Sequence, residues 1–438
     1  MLNSDEGHVS LSGGYKATKI GAVPSNWDVV RLDEVSDPTA PIRYGVVQIG
    51  PDTPGGVPIV PIKHVRRIGK VPLHHASSEI EAPYAASRVK GGDVLISVKG
   101  TIGEVGVVPD GFEGNIAREI ARIRPKPDID SEFLAFQLDA DHTQRRIESK
   151  IVGSTRLEFS IHAVRDFLIA VPKSQLEQRK IAAILRSWDE ALEKLEALRN
   201  IKQSRQRALT RALVFGSLRL SGFRQTDQAV SHRWFTLPAD WSCKAIGKVA
   251  VEVSERHGDA EAAEVLSCSK YAGFVRSLEY FKKQVFSTSL ANYKRIWRND
   301  FGFPSNHVEE GSIGLQDVVD VGVVSPIYTV FRFAPDKVDP RYAYAVLKTS
   351  LYRHIFEVST SASVDRRGSL RWSEFSQLPI PLPPLPEQRA IVEVLQTASA
   401  DIAGLSAEIR TLTRQKRGLM QKLLTGEWRV KLDGGTHG

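Results

Sequence analysis

The chain has 438 residues, 42% of them hydrophobic and 25% charged, enough for two or more domains with full-sized cores. Those proportions exclude a wholly disordered or collagen-like chain. Lys plus Arg number 59 against 51 for Asp plus Glu, a net charge of +8, which favours a polyanionic partner, although so small an excess also serves solubility alone.

In chain order, the sequence begins with a polar, glycine-containing tail over 1–19. It has no apolar core of signal-peptide length, and no run of about 18 apolar residues follows anywhere. Cys243 and Cys268 are the only cysteines and match no metal-ligand spacing, so buried or free thiols in a reducing compartment are expected. A soluble, cytoplasmic protein is the expectation.

A first globular part is predicted over 20–175. Residues 57–65 and 93–98 alternate or run apolar like strands, with Gly-rich turns at 91–92 and 100–106. A strand over 120–124 precedes a helical stretch over 133–150. A long helix is predicted over 176–216 and a linker over 217–231. A second globular part follows over 232–384, strand-like over 318–333 and helical over 341–356. A second long helix over 385–426 and a tail over 427–438 complete the chain.

The chain repeats itself. Glu177-Gln178-Arg179 recurs as Glu387-Gln388-Arg389, and the offset of 210 holds without a gap for about forty residues. Gly216 falls on Gly426 and Arg219 on Arg429. Pro24-Ser25-Asn26-Trp27 falls on Pro238-Ala239-Asp240-Trp241 at offset 214. Two matches at nearly one offset indicate a tandem duplication, each half a globular part followed by a helix.

The helices carry an apolar seam of period 3.5, which wants another helix against it. In the first it runs through Ile181, Leu185, Trp188, Leu192, Leu195, Leu209 and Leu213, weakened where Arg199, Lys202 and Gln206 intervene. In the second it runs through Ile391, Leu395, Ala398, Ile402, Leu405, Ile409, Leu412, Leu419 and Leu423, broken once at Lys416. Gly216 and Gly426 stand where helix stops belong. Helices of about 40 residues would be roughly 60 Å long, and an antiparallel intramolecular coiled coil is expected, with packing on the domains or pairing between chains as alternatives. The fold class is α+β: two tandem strand-rich α/β domains separated by two long helices, with pseudo-twofold internal duplication.

Catalytic signatures are scarce. There is no phosphate loop, dinucleotide fingerprint, zinc spacing or nucleophile elbow, and no Asn/Asp-Pro-Pro-aromatic tetrapeptide of an adenine methyltransferase. Pro127-Asp128 with Glu148-Ser149-Lys150 has the form of a metal-dependent nuclease core, but Glu148 falls at a helix end. No catalytic, cofactor-binding or metal residue is assigned.

Basic clusters are more informative. Gly-, Ser- and Thr-bearing loops beside Lys and Arg suit phosphate contacts, and Arg can read guanine edges. In the first half the candidates are Lys63, His64, Arg66, Arg67 and Lys70, then Ser97, Lys99 and Thr101, then Ser154, Thr155 and Arg156. In the second they are Lys294, Arg295 and Arg298, then Ser325 and Tyr328, then Arg366 and Arg367, with Lys282-Lys283 nearby. Solvated turn residues are the plainer alternative for each.

Taken together, the paired Pro-x-x-Trp starts, the run from Pro381 to Arg389, Gly92 to Ile96 leading into Lys99 to Gly103, and Gly322 to Tyr328 resemble the specificity subunit of Type I restriction–modification systems. In the first copy Val171 to Leu176 lacks the double proline. The resemblance covers most of the chain. It implies two target recognition domains, each binding one half of a bipartite, asymmetric double-stranded DNA site. It further implies a helical spacer that docks two methyltransferase subunits, with restriction and motor subunits added. S-adenosylmethionine and Mg/ATP would then belong to those partners, with no cofactor in this chain. A nuclease or fused restriction–methylation enzyme, and a coiled-coil scaffold without a DNA role, are the competing readings.

Overall fold

The computed structural model describes residues 10–11, 14–153, 157–258, 263–306, 308–360 and 369–432. The seam becomes two 40-residue helices, Gln175–Val214 and Leu385–Leu424. Their stops are alike. Gly216 at φ +70° and Gly426 at φ +74° take the left-handed conformation that glycine adopts without steric cost. Each donates its N–H to a carbonyl three residues back, on Leu213 and Leu423. The lost double proline is harmless, because the Ser174 carbonyl accepts from Glu177 N–H as the Pro384 carbonyl does from Glu387.

The chain divides into two units, Met1–Glu196 with Ala407–Gly438, and Ala197–Ser406. In the first, Ile181, Ala182 and Leu185 share a core with Met420, Leu423 and Leu424. Lys416, the break in the seam, bonds Asp189 and lies over the Phe136 ring. Trp188, Leu192 and Leu195 are half-buried. In the second unit, Leu213 and Val214 share a core with Ile391, Val392 and Leu395. There the weak middle of the seam is polar: Lys202 donates to Asp401 at 3.2 Å and Gln206 to Ser399 at 2.6 Å. In each unit the paired residue numbers rise on one helix as they fall on the other, so the segments run antiparallel.

The globular part of each unit repeats one plan. In the first, Trp27–Arg31 pairs antiparallel with Leu168–Pro172. A four-stranded sheet has the order Arg43–Tyr44, Ile120–Ile123, Val94–Ser97, Val105–Val107. Two helices follow, Ser131–Asp139 and Asp141–Glu148, then the short helix Ile161–Arg165. In the second, Ser242–Ala245 pairs with Pro379–Leu382. Its sheet has the order Ala250–Glu252, Tyr328–Phe333, Phe301–Pro304, Gly314–Leu315. Helices Pro340–Leu347 and Ser350–Ser359, then Trp372–Phe375, follow.

Three expected elements are subdivided. The stretch 57–65 is a strand only over Val57–Val60 and then a 3₁₀ helix, Ile62–Arg67. The spacing of three between Ile62, Val65 and Ile68 suits three residues per turn. The stretch 133–150 is two helices, broken where Ala140 is extended (φ −65°, ψ 139°). The stretch 318–333 is two strands, Val321–Val324 and Tyr328–Phe333, interrupted at Pro326, whose missing N–H cannot join a ladder. Among the described residues no helix is long and apolar enough to cross a membrane. Cys243 and Cys268 are free and half-buried, and burial pushes the Cys268 thiol up to about 12.

Candidate nucleic-acid interface

The recurring Glu-Gln pair is the hub of each unit. Glu177, buried at the start of its helix, accepts from Trp27 Nε1 at 3.3 Å and from Arg429 Nε and Nη2 at 2.9 and 3.1 Å. In the second unit Glu387 accepts from Trp241 Nε1 at 3.1 Å and from Arg219 Nε and Nη2 at 2.7 and 3.0 Å. The neighbouring glutamines hold the starts of the paired helices of the globular parts. Gln178 accepts from the Asp130 N–H and donates to the carbonyls of Asp128 and Pro172. Gln388 does the same with Asp339, Lys337 and Pro383. Asp130 and Asp339 in turn cap the helices that follow them.

A second repeated device fixes each sheet. Asp93 accepts from the Lys90 N–H at 3.0 Å and from Arg124 Nε at 2.7 Å. Asp300 accepts from the Trp297 N–H at 2.8 Å and pairs with Arg332. The tight turn before each aspartate puts Gly92 at φ +85° and Asn299 at φ +71°. This equivalence registers the two sheets residue by residue, Val94 on Phe301 and Arg124 on Arg332.

That frame brings loops together at one end of each sheet. In the first unit the Phe159 N–H donates to the Val98 carbonyl at 2.9 Å, and in the second the Leu370 N–H donates to the Ser305 carbonyl at 3.0 Å. The loop after Val94–Ser97 therefore lies beside the segment between the second helix of the pair and the short helix. Two expected candidate groups, Ser154-Thr155-Arg156 and Arg366-Arg367, belong to those equivalent segments but lie outside the described residues.

The other candidates separate into free and engaged groups. Lys63, Arg67 and Thr101 are exposed. Lys99 is half-buried, 3.3 Å from Glu158 and 5.4 Å above the Tyr44 ring. Arg66 is held by Glu104 and Asp139 at 2.7 and 2.6 Å, Lys70 by Glu193 at 2.7 Å, Arg295 by Glu255 at 2.8 Å and Arg298 by Asp320 at 2.9 Å. Three others are turned toward the protein's own groups. Ser97 is fully buried, donating to the Thr101 carbonyl and accepting from the Glu104 N–H. Lys294 spends its ammonium on the Tyr328 carbonyl, and burial lowers its pKa. Tyr328 is buried, accepts from the Cys268 N–H, and burial pushes its phenol up to about 12. Ser325 and His64 are half-buried, and His64 leaves Nδ1 enclosed without a partner.

Sequence reasoning missed Tyr44, 46% exposed beside Lys99. It named Lys282 and Lys283 but missed the exposed apolar side chains beside them in the second unit, Leu278, Tyr280, Phe281 and Val285. Aromatic interleaving of that Lys-Lys pair was the available signal. Among the described residues no group of three or more His, Cys, Asp or Glu side chains could hold a metal ion.

Comparison with known proteins adds family evidence. The profile described as "Type I restriction modification DNA specificity domain" matches residues 24–203 and 306–413. The Escherichia coli Type I restriction enzyme EcoBI specificity subunit is 26% identical over 201 residues, 45% of this chain and 42% of that protein, so the chain spans under half of that relative. The Methanocaldococcus jannaschii Type I restriction enzyme MjaVIII specificity subunit is 22% identical over 93% of this chain and 94% of its own. The solved Type-I restriction-modification system S subunit from M. genitalium shares the fold, with a TM-score of 0.52 and 16% identity over 91% of this chain and 96% of that one. A chain solved in work on complex assembly and conformational transition of the type I R-M system has a TM-score of 0.54 and 18% identity, covering 93% and 99%.

Proposed function

Since the chain belongs to the Type I restriction modification DNA specificity domain family, we propose that it is the sequence-choosing subunit of such a system, each globular part reading one half of a split DNA site. The observation that carries this reading is the pairing of a repeated frame with unlike exposed loops. Glu177 and Glu387, and Asp93 and Asp300, hold the same positions. The exposed chemistry differs: Lys63, Arg67 and Tyr44 in one unit, the apolar and lysine patch over 278–285 in the other. Two unlike readers on one frame fit a site that is not a palindrome. Phosphate contacts would position each reader and base contacts would specify.

The long helices act as the spacer in this reading and as the docking surface for two methyltransferase subunits. Half-sites about one turn apart, roughly 34 Å, are what a two-domain reader engages. S-adenosylmethionine would be bound and the adenine methylated by those partners, which would flip the base to reach it. Restriction subunits would bring Mg/ATP, and this chain would make and break no bond.

The test is methylated-adenine mapping in cells whose segment 232–384 is replaced by the equivalent segment of another family member. One half-site should change and the other remain. A change in both, or in neither, would overturn the assignment of one reader to each half. Lengthening both helices by matching turns should widen the gap without altering the bases.

A further inference from the structure

A cavity of about 440 Å³ in the first unit is lined by Arg43, Arg88, Lys90, Arg122 and Arg124, with Glu113 at its wall. Two of these cations are satisfied: Arg88 by Glu81 at 2.8 and 2.6 Å, and Arg124 by Asp93 at 2.7 Å on both arms. Arg122 is different. It is 2% exposed, yet among the described residues its guanidinium meets only the carbonyls of Arg88 (3.2 Å) and Pro41 (2.8 Å), and its Nε has no partner. Burial and the neighbouring Arg124 and Arg43 lower its pKa, while Asp93 and Asp37 oppose them. Asp37 is itself occupied by the N–H and hydroxyl of Thr39. Arg43 lies opposite Arg122 in the strand register, on the same face of the sheet, and Arg43 and Lys90 are exposed.

The fold does not require a cation there. In the equivalent sheet the position of Arg122 is Val330, fully buried in an apolar cluster with Leu266 and Phe274. Buried charges are ordinarily paired, because stripping a guanidinium of water without a counter-charge is costly. An arginine retained without a carboxylate, where the same frame accepts valine, calls for an anion from outside. Guanidinium groups suit tetrahedral oxyanions through charge-assisted bonds.

We propose that this cavity binds a phosphate group, with Arg122 at its base and Arg43 and Lys90 at its mouth. The phosphate belongs either to the DNA backbone or to a free phosphate ester. The site is distinct from the loop end carrying Tyr44 and Lys99, since Tyr44 points to the opposite face of the strand from Arg43.

Thermal unfolding of the full chain in inorganic phosphate, against chloride at matched ionic strength, tests the site. The midpoint should rise with phosphate concentration, as linkage requires. Arg43→Ala with Lys90→Ala should weaken that response about tenfold, equivalent to about 1.4 kcal/mol, and Arg122→Met should abolish it. The double variant alters only exposed side chains, so the test survives if Arg122→Met fails to fold. A duplex-binding arm separates the sources: a salt slope reduced by about 1–2 in the double variant assigns a backbone phosphate, even if free phosphate binds too weakly to register. An unchanged slope with a phosphate response assigns a free ester. No phosphate response together with an unchanged slope, or an equal response in the folded variants, overturns the proposal. The phosphate arm is independent of sequence-specific DNA reading, so either can fail alone.

Discussion

Arg429 closes on Glu177 across 252 residues of chain, and in the second unit Arg219 closes on Glu387 across 168. Each pair joins the end of one long helix to the start of the other. Trp27 and Trp241 complete the two hubs. The pairs differ in burial: Arg219 is 6% exposed and Arg429 42%.

That difference sets unequal mutational costs. Glu387→Ala leaves the buried Arg219 with Asp240 as its remaining carboxylate and strips Trp241 Nε1 of its acceptor, and should cost about 3 kcal/mol, the low end for a broken buried pair. After Glu177→Ala, Arg429 can rehydrate, and about 1–3 kcal/mol is expected, the cost of leaving buried partners unsatisfied. Denaturant unfolding of the two variants, monitored by tryptophan fluorescence, measures the order.

Acid should act through Asp240. Its hydrogen bonds to Arg219 hold the carboxyl below the ordinary aspartate range. Because the folded value lies below the unfolded one, the stabilisation is complete above about pH 4. It is lost as pH falls through the folded value. Asp240→Asn should therefore flatten the decline of the urea midpoint as the pH falls below about 4.

The helix stops should tolerate no side chain. A Cβ on Gly216 would lie 2.5 Å from Pro238 ring carbons, and one on Gly426 would lie 2.2 Å from Pro24 Cγ. Left-handed strain adds about 1–2 kcal/mol to each clash. Gly216→Ala and Gly426→Ala should each lower the melting temperature, whereas Gly404→Ala, with open space around its Cβ and no positive φ, should raise it or leave it unchanged.

Gln178→Ala and Gln388→Ala should each destabilise by about 1–3 kcal/mol, since each glutamine satisfies three main-chain groups beside the paired helices. Hydrogen exchange should quicken first at the amides of Asp130 and Asp339.

Lys282→Ala with Lys283→Ala should weaken duplex binding by the assembled complex and reduce the salt slope by about 1–2. Stability should hardly change, because both side chains are exposed. An unchanged slope would remove this patch from the interface.

The long helices were legible because a 3.5-residue period and a terminal glycine are local signals repeated at fixed offset. The common order of strands and paired helices was legible for the same reason, although the breaks at Ala140 and Pro326 were merged into longer elements. Contact residues were not legible. A lysine or arginine in a loop looks the same whether or not a carboxylate waits elsewhere, and Arg66, Lys70 and Arg295 meet partners 73, 123 and 40 residues away. Ser97 had the composition of a phosphate loop, but its hydroxyl is spent inside the turn. The role of Glu177 and Glu387 stayed hidden because their tryptophan and arginine partners are remote, even though Trp27/Trp241 and Arg219/Arg429 repeat with them.

The closure of Arg429 on Glu177 also fixes an order of events at the ribosome. Every residue of the Ala197–Ser406 unit has been translated before the second long helix is finished, whereas the other unit lacks its last helical turns and Arg429 until the chain has grown past them. Of the two units, the one begun earlier is completed later, and until then the nascent chain leaves the apolar side chains of Ile181 and Leu185 without Met420, Leu423 and Leu424 to cover them.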